Sequence, residues 1–591
     1  MGVLAGVLRS RSLQRDAQIA ELKQIPDIHL GLHREPILAG WLPGWLKSWY
    51  PERFYQDYLV SLHVHDAEEL RRVLAVYPCD RLYTLEISSK TGEPVTDADL
   101  AELPDMPELN SLRIYDTQIT DESVSRISQF TNLKQLDLHH NPLMKGTTFH
   151  QLVALQQLNR LTTEHTLPED DVWTVVCQLP KLASWKVHNA DYRFTLTDKH
   201  MEQLSQPLVL ASVPPLKLDI TEASADKFLF LQSLQSLDLS GTEITAGVRE
   251  LLTHLKLLTV LDLRQSTFDD NDAVALAQLD QLTSLRLSHT RITDECFQHL
   301  SDLSQLTSLE IAGCKITGGK LNQLKSSSEL RYLDLSSCPL TIKGLSQLEA
   351  FGNLTLLLLS NIGDITGEVI RHLKLPKNNV DLRLNDNRLD KDTFAALSEV
   401  EGIHRLDLQN CTFPPADLSA LGPQSNCSQL NLSGTPVSKA GLSGIAQMTR
   451  LELVFLDRCH IPDDLLGDDT LPSSLRYLLL RDSSLTDAGL QYLAESSIAK
   501  NIHQLAVTGT RVRLQDVPSF SSFKNLYTFE ADNTRLAPDA LKHISALPSL
   551  EAMSLRQTPI PESEIDDFKT RHPGCTVYYT ESHSDSGDHT D

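Results

Sequence analysis

The residues of this chain whose types could support chemistry are its cysteines, its histidines and one lysine-glycine segment. Nine cysteines lie between Cys79 and Cys575, and none belongs to a Cys-x-x-Cys pair. Structural zinc sites and disulfide frameworks normally show paired spacing, so we predict neither. The segment from Cys314 to Lys320 lacks the first glycine and the hydroxyl residue of a phosphate-binding loop. Neither His-Glu-x-x-His nor Gly-x-Ser-x-Gly occurs, so we predict no catalytic residues, no metal and no cofactor.

Composition narrows the class of protein further. Leucine occurs 104 times in 591 residues, whereas aromatic residues make up 6% and the hydrophobic fraction is 41%. This balance excludes intrinsic disorder, collagen and a polytopic membrane protein. Lys and Arg number 53 against 78 Asp and Glu, which gives a formal net charge of −25. So acidic a chain repels phosphate backbones, and we therefore expect no nucleic-acid partner.

A sequence repeat explains the excess of leucine. The pattern Leu-x-x-Leu-x-Leu recurs along most of the chain, for example as LQSLDLSGTEIT from Leu234, LTVLDLRQSTFD from Leu258 and LTSLRLSHTRIT from Leu282. We place 21 repeat starts between residues 59 and 550, and 13 of the 20 intervals between them equal 24 residues. A fixed period of this length is typical of solenoid proteins, in which each unit packs on its neighbours.

Each repeat predicts a strand, a turn and a short helix. The last two leucines of the pattern alternate, so they point to one face of a strand. A threonine and acidic residues follow, as in Thr293, Asp294 and Glu295, and this combination is typical of a helix start. Apolar residues then recur every three or four positions, as Phe297 and Leu300 do. Since helices are wider than strands, stacked units should curve and place parallel strands on the concave face.

A small polar or thiol residue follows the last leucine of most repeats by three positions. Stacked at the spacing of neighbouring strands, these side chains should form a ladder that donates hydrogen bonds to backbone carbonyls inside the turn. We assign this structural role to Thr117, Asn141, Thr242, Thr290, Cys314, Cys338, Asn387, Cys411, Thr435 and Cys459. Parallel neighbours in a ladder have poor geometry for a disulfide, so we expect its cysteines to remain thiols.

These repeats resemble leucine-rich repeats of the bacterial and cysteine-containing, ribonuclease-inhibitor-like kind, with Thr or Cys where many relatives carry Asn. The resemblance covers residues 59–573 and implies an α/β fold, a curved horseshoe-like solenoid of about 21 repeats with short helices on its convex face. The segment Trp41-Leu42-Pro43-Gly44-Trp45-Leu46 is similar to the cap of the repeat proteins abundant in planctomycete bacteria. In those proteins a membrane helix precedes a basic and acidic segment like that from Arg9 to Lys23.

The same patterns set the expected domain organisation. Residues 1–14 form an apolar and basic stub, which we interpret either as a frayed N-terminus or as the end of a membrane helix that starts upstream. Residues 15–58 form the cap, 59–573 the repeat array, and 574–591 a final strand and a disordered acidic tail. The repeats are irregular around residues 158–233, which predicts either drifted repeats or a hinge.

Histidines cluster at His139, His140, His165 and His188, and of these His139, His140 and His188 should face the concave side of the array or its rim. Side chains two repeats apart in such a ladder of strands lie roughly 10 Å from each other, too far to share one metal ion directly. We therefore interpret these histidines as solvated surface residues.

Residues before and between the two strand leucines should point away from the core, so their types carry functional information. Most are charged, but two groups are apolar. We define a first patch as Leu453, Phe455, Tyr477 and Leu479, and a second patch as Tyr332, Leu356 and Leu358. An exposed apolar patch with aromatic residues and a charged rim is typical of a protein-binding hot spot. The alternatives are that these strands are hydrophobic through random sequence drift, or that another part of the chain covers them.

These features predict a non-enzymatic scaffold that binds a protein partner on the concave face of the array. We expect no small-molecule substrate, and contact with a membrane only through an N-terminal anchor. One alternative is a substrate-recognition adaptor of a ubiquitin-ligase-like assembly, although the N-terminal segment does not resemble a recruitment helix bundle. Others are a structural or adhesive envelope protein, and an enzyme with its site in residues 158–233.

Overall fold

A computed structural model describes most of the chain. The described residues are 14–25, 28–36, 55–89, 92–163, 169–187, 193–204, 207–326, 328–373, 375, 379–422, 426–515 and 517–579. They fall into two compact units, Met1–Thr267 and Phe268–Asp591. The predicted stub except its last residue, the Trp-rich part of the cap, and the tail from residue 580 onward lie outside the described residues.

The first unit contains a mostly parallel sheet that begins with one antiparallel strand. Its strands are His29–Pro36, Tyr55–Val64, Thr84–Ser88, Ser111–Tyr115, Gln135–Asp137, Arg160–Thr163 and Ser184–Val187. The first of them runs antiparallel to the second, and each later strand runs parallel to its predecessor. Within the irregular stretch 158–233 the regular strands give way to a single-residue bridge, in which Ser212 pairs in parallel with both Ser184 and Ser236. In the same stretch Phe194–Thr197 and Leu216–Asp219 form a separate parallel pair. Regular pairing resumes with Ser236–Asp238 and Val260–Asp262.

The second unit has one strand in each successive repeat, and all its neighbouring strands are parallel. The strands are Ser284–Arg286, Ser308–Glu310, Tyr332–Asp334, Leu356–Leu358, Val380–Arg383, Ile403–Asp407, Gln429–Asn431, Leu453–Phe455, Tyr477–Leu479, Gln504–Ala506, Thr528–Glu530, Ala552–Ser554 and Thr576–Tyr578. Equivalent repeat positions pair, so that Leu309 lies beside Leu333. A short second pair, Asp364–Ile365 with Arg388–Leu389, follows two of these strands.

Helical segments connect the strands and pack on those of adjacent repeats. In the first unit the α-helices are 14–22, Ala67–Val76, Asp97–Ala101, Ser123–Ile127, Glu169–Gln178, Asp198–Glu202, Ala225–Phe228 and Ala246–His254. In the second they are Phe297–Leu300, Ile342–Leu345, Gly367–His372, Lys391–Glu399, Lys439–Leu442, Asp487–Glu495, Ala540–Ile544 and Glu562–Arg571. Several repeats use a 3₁₀ helix instead, such as Pro415–Leu421, because a short connection favours the tighter turn. No helix among the described residues has the length and apolar character needed to cross a bilayer.

The repeat leucines build the core, as their alternation predicts. Leu309 and Ile311 are fully buried, whereas Ser308 and Glu310 beside them are partly exposed. Each fully buried leucine contributes about 2 kcal/mol of hydrophobic free energy relative to an exposed one. The α/β solenoid predicted from the sequence is therefore confirmed at the level of strand and helix arrangement within each unit.

A left-handed residue ends the strand segment of nearly every repeat, directly before the ladder position. The φ angles at these positions lie between 52° and 70°, at Asp116, His140, Gly241, Gln265, His289, Gly313, Ser337, Asp386, Asn410, Gly434, Arg458, Asp482, Gly509, Asn533 and Gln557. A Cβ at Gly434 would lie 2.4 Å from Oδ1 of Asn410, but that exposed side chain can move aside, so the positive φ of 68° is the constraint that favours glycine there. This backbone conformation turns the chain out of the sheet and points the next side chain inward.

The ladder residues lie inside these turns, and asparagine makes the most hydrogen bonds. The Nδ2 atom of Asn387 donates to the carbonyl of Leu359 at 2.9 Å and to that of Leu384 at 2.7 Å. Its Oδ1 atom accepts from the amides of Ile362 at 2.8 Å and Gly363 at 3.1 Å. Asn387 thus satisfies backbone groups of its own repeat and of the preceding one.

Threonine and cysteine divide this work between them. A ladder threonine such as Thr435 donates to the carbonyl three residues earlier, and a ladder cysteine donates to a carbonyl of the preceding repeat. One carbonyl can accept from the ladder residue of its own repeat and from the ladder cysteine of the next repeat. Three carbonyls do so: Leu287 (from Thr290 and Cys314), Leu384 (from Asn387 and Cys411) and Leu432 (from Thr435 and Cys459). The remaining ladder residues also donate hydrogen bonds. Thr117 donates to Oδ1 of Asn141, and Asn141 donates to the carbonyls of Ile114 and Leu138. Thr242 donates to the carbonyl of Leu216, and Cys338 to that of Ile311.

The ladder cysteines remain protonated donors. All nine cysteines are buried free thiols. Burial raises the pKa of Cys338 and Cys411 to about 12, which keeps the sulfur in the S–H form at neutral pH. A neutral thiol can donate a weak hydrogen bond to a carbonyl, and this explains why cysteine can replace threonine at this position.

Acidic residues at helix starts link neighbouring repeats on the other side of the turn. The carboxylate of Asp97 accepts from Ser123 and from both the amide, at 2.9 Å, and the hydroxyl, at 2.8 Å, of Thr120. Asp121 accepts from three consecutive backbone amides, residues 145–147, at 2.8 to 2.9 Å. Burial alone would raise the pKa of both carboxyls, but these hydrogen bonds outweigh it and hold each pKa below its ordinary value of 3.8.

Replacing Asn387 by alanine should destabilise the second unit strongly. The change leaves the partly buried amides of Ile362 and Gly363 without their acceptor and removes a donor from two buried carbonyls, so we expect a loss of about 3 kcal/mol in the free energy of unfolding. Urea denaturation measures it. The control is Asn525→Ala, which removes one exposed bond to the Lys500 carbonyl and should cost less than about 0.5 kcal/mol. Equal losses in both variants would contradict the ladder's structural role.

Acid should weaken the first unit through Asp97 and Asp121. Because their pKa values are lower in the folded chain than in the unfolded one, their stabilisation is complete above pH 3.8 and is lost as pH falls through the lowered folded values. The free energy of unfolding of Asp121→Asn should therefore fall less steeply with acid than that of the wild type, which denaturation at a series of pH values measures. Asp226→Asn, at an exposed acid, should keep the wild-type slope.

Candidate protein-binding site

The first patch lies on two neighbouring parallel strands, on the face of the sheet opposite the core. Leu453 is in register with Tyr477, and Phe455 with Leu479. Val454, which lies between Leu453 and Phe455 in the sequence, points into the core and is fully buried. Leu453, Phe455 and Tyr477 are partly exposed. Three large apolar side chains therefore meet at the surface of a regular sheet.

Leu479 departs from the expectation that it is free of packing. Only 6% of this residue is exposed, although it faces the same side as its partners. It lies in register between Phe455 and Ala506, so side chains of the two flanking strands cover it. Leu479 supports the first patch from within and contributes little contact surface of its own.

Aromatic residues of the next two repeats extend the first patch. The ring of His503 lies 6.2 Å from that of Tyr477 and 5.4 Å from that of Tyr527, measured between centroids. The hydroxyl of Tyr527 donates to the hydroxyl of Tyr477 at 3.2 Å. This hydrogen bond, followed by partial burial, raises the pKa of Tyr527 to about 12. The three rings form a continuous aromatic row beside Leu453.

Charged residues border the first patch on both sides. The guanidinium of Arg405 lies 5.9 Å from the centre of the Phe455 ring, within the range of a cation–π interaction. On the opposite side Glu530 accepts from Arg481 at 2.8 Å and from Gln504 at 2.6 Å. An apolar centre with a polar and charged rim is the usual anatomy of a protein interface.

The second patch lies on two other neighbouring strands of the same unit. Tyr332 is in register with Leu356, and Asp334 with Leu358, and all three members of the patch are partly exposed. Burial, and then the charges of Asp334 and Glu310, raise the pKa of Tyr332 to about 12. Tyr332 therefore stays neutral at physiological pH.

Three strands separate the two patches. Successive register pairs lead from Leu356 through Asp381, Arg405 and Gln429 to Leu453. At about 4.8 Å per strand, the two patches are about 19 Å apart along the sheet. The surface between them carries charged and polar side chains, so a ligand that covers both must offer two apolar anchors with a polar stretch between them.

Of the four histidines that cluster in the sequence, His139 and His140 contact neighbouring side chains. The Nδ1 atom of His139 lies 2.6 Å from Asp137, and its ring stacks on Tyr115 with centroids 5.0 Å apart. The Nδ1 atom of His140 lies 3.0 Å from Asp116. The structure does not describe His165 and His188.

Sequence reasoning missed the aromatic extension of the first patch. It considered the third and fifth positions of each repeat, whereas His503 and Tyr527 occupy the second position of consecutive repeats. Aromatic rings at the same position one repeat apart are a signal that could have found them, because equivalent positions stack in a parallel solenoid.

Replacing Tyr477 by phenylalanine should lower the pKa of Tyr527 from about 12 towards its ordinary value of 10. The substitution removes the acceptor hydroxyl that stabilises the protonated form of Tyr527. Ultraviolet difference titration against wild type measures the change. Tyr332→Phe, in the second patch, should leave the Tyr527 titration where it is; an unchanged titration in Tyr477→Phe would contradict the hydrogen bond.

Comparison with known proteins identifies the repeats. Residues 232–292 match a family model described as leucine rich repeat, and residues 329–354 match a second model of the same description. Comparison with curated proteins gives no match.

Solved structures are similar to the chain over much of its length. The TLR13–ssRNA13 complex aligns with a TM-score of 0.51 and 17% identity, covering 87% of this chain and 87% of that chain. An internalin, InlF from Listeria monocytogenes strain 4b F2365, aligns with a TM-score of 0.37 and 17% identity, covering 56% of this chain and 88% of that chain. At this identity the likeness to TLR13 concerns the fold.

Proposed function

The chain is a leucine-rich repeat protein, and from this premise we propose that it is a non-enzymatic scaffold that binds a protein partner through the first and second patches. The observation that carries the proposal is the position of both patches on the solvent-facing side of a continuous parallel sheet, where most other outward residues are polar or charged. Large apolar side chains at such positions add nothing to the core and become useful when a partner covers them.

The scaffold supports binding because its surface is already ordered before a partner arrives. The strands that carry the patches are held by pairing on both sides and by the buried ladder beneath their turns. Little conformational entropy then remains to be lost on association, which favours affinity. Tyr477 and Phe455 have few rotatable bonds and large apolar surfaces, the properties of typical hot-spot residues.

Charge favours a protein over a nucleic acid as the partner. The neighbour TLR13 was solved with ssRNA13, but this chain carries a formal net charge of −25. Such a charge repels phosphate backbones and should favour a partner with a basic rim around its apolar anchors.

Aspartate at Leu453 and Phe455 should abolish partner binding without unfolding the chain. Removing a hot-spot residue costs about 2 kcal/mol or more of binding free energy, which weakens binding by about 30-fold. Since both residues are partly exposed, a charge at these positions should leave the fold intact. The measurement is affinity capture with the immobilised full chain, in which partners retained by wild type are compared with those retained by the double variant. Leu479 is unsuitable for this substitution because it is buried.

The matched control is Val274→Asp, which places the same charge at an apolar residue that is 57% exposed outside both patches. The proposal requires proteins that wild type and the control retain and the double variant loses, with all three showing the same circular dichroism. A second double variant, Leu356→Asp with Leu358→Asp, tests the second patch in the same way. Identical retention by all variants, or binding of single-stranded RNA in place of protein, would refute the proposal.

A further inference from the structure

Three histidines meet at the start of the sheet in the first unit. His63 and His65 alternate with Leu62 and Val64, which are buried, so both imidazoles lie on the solvent-facing side. His29 lies on the antiparallel strand and is directly in register with His63. One ligand nitrogen from each of the three rings lies within 4.8 Å of the others.

The rings are close to one another as well as in register. The centroids of His63 and His65 are 4.2 Å apart, and the His29 ring lies 5.8 Å from each of them. Among the residues that the structure describes, this is the one group of three histidine, cysteine or acidic side chains whose ligand atoms approach so closely. His29 is exposed and the other two are half-buried, so an ion could reach the group from solvent.

A second layer of polar side chains holds two of these imidazoles. Glu86, on the next parallel strand, lies 3.4 Å from Nε2 of His63. The hydroxyl of Tyr115 donates to the same carboxylate at 2.7 Å and fixes its position. The hydroxyl of Ser88 lies 3.4 Å from Nδ1 of His65. Metal-bound imidazoles typically contact a carboxylate or another polar group through their second nitrogen, which orients the ring.

We propose that His29, His63 and His65 form a binding site for one divalent transition-metal ion of the Zn²⁺ class. Imidazole nitrogen is a preferred ligand of Zn²⁺, Cu²⁺ and Ni²⁺, whereas Mg²⁺ and Ca²⁺ prefer oxygen. Nitrogen atoms around a tetrahedral Zn²⁺ ion are about 3.3 Å apart, since each Zn–N bond is about 2.05 Å. Small rotations of three solvent-facing rings bring nitrogens within 4.8 Å of one another to that spacing.

Three protein ligands leave one coordination position of a tetrahedral ion open. That position lies on the solvent side, where water or a side chain of a bound protein can fill it. His29 lies on the antiparallel edge strand, His63 lies on the neighbouring strand Tyr55–Val64, and His65 directly follows that strand. An ion bound by all three histidines would therefore cross-link these two segments. Binding should therefore stabilise the folded chain and protect residues 28–36 from hydrogen exchange.

The pair His139 and His140 provides a comparison within the same unit. Their centroids are 5.0 Å apart, but each Nδ1 atom faces a carboxylate, of Asp137 and Asp116 respectively. Within the described part of the chain, these two imidazoles do not belong to a group of three ligands whose atoms approach as closely as those of the trio. We therefore expect His139 and His140 not to contribute to Zn²⁺ binding, which makes them a control for the trio.

The test is calorimetric titration of the full chain with Zn²⁺ in excess Mg²⁺, which occupies weak oxygen sites. Wild type should bind one ion with a dissociation constant on the order of 1 μM or lower. His29→Ala, His63→Ala and His65→Ala should each weaken this binding by at least about 10-fold, whereas His140→Ala should leave it unchanged. Circular dichroism checks that each variant is folded, and His29→Ala, at an exposed position, keeps the test valid if another variant fails to fold.

Two further readouts separate a ligand from a merely structural residue. Co²⁺ in place of Zn²⁺ should give the visible absorption of a tetrahedral site in wild type and lose it in the three variants. Glu86→Gln should keep one bound ion but weaken binding by about 10-fold, because it alters the orientation of His63 and leaves the ligands in place. Absence of Zn²⁺ binding in wild type, or equal binding after all three histidines are replaced, would overturn the proposal.

Discussion

The constraint on which this structure depends is that every turn leaving the sheet buries backbone carbonyls that need a hydrogen-bond donor. In most repeats the chain meets it with one inward-pointing polar side chain that directly follows a left-handed residue. Since the carbonyls of Leu384 and Leu432 each accept from two successive repeats, the donor of one unit completes its neighbour. An unpaired buried carbonyl is costly, so this requirement fixes residue type at the ladder more strictly than at the surface.

With the ladder and the leucines assigned to the interior, the outer side of each strand is free to vary. Polar residues at most of these positions suit a face exposed to water, and departures from polarity are therefore informative. Tyr477 and Phe455 form such a departure, and the rings of His503 and Tyr527 extend it across two more repeats. His63 and His65 form a departure of another kind, in which alternation on one strand brings two ligands to the same side.

Much of the fold was predictable because the repeat period and the alternation of leucines depend on local chain geometry. Leu453, Phe455 and Tyr477 were found the same way, since each occupies a fixed repeat position. Leu479 shows the limit: its position gives the direction of its side chain but not how fully the adjacent strands cover it. The antiparallel partner of His63 was not predictable either, because His29 lies before the first repeat and its register depends on long-range pairing.

The hydrogen bonds of Asn387 make one repeat depend on the next. The repeat before it has Ile362 where others have a polar donor, and Asn387 supplies hydrogen bonds to that repeat from the next one. That same repeat carries Leu356 and Leu358 on its outer side. A repeat without a polar side chain at this position thus depends on the repeat that follows it for its hydrogen bonds. Stability in this part of the array is therefore shared between neighbours, and a change at Asn387 should be felt on the outer face of the repeat before it as well as in its own turn.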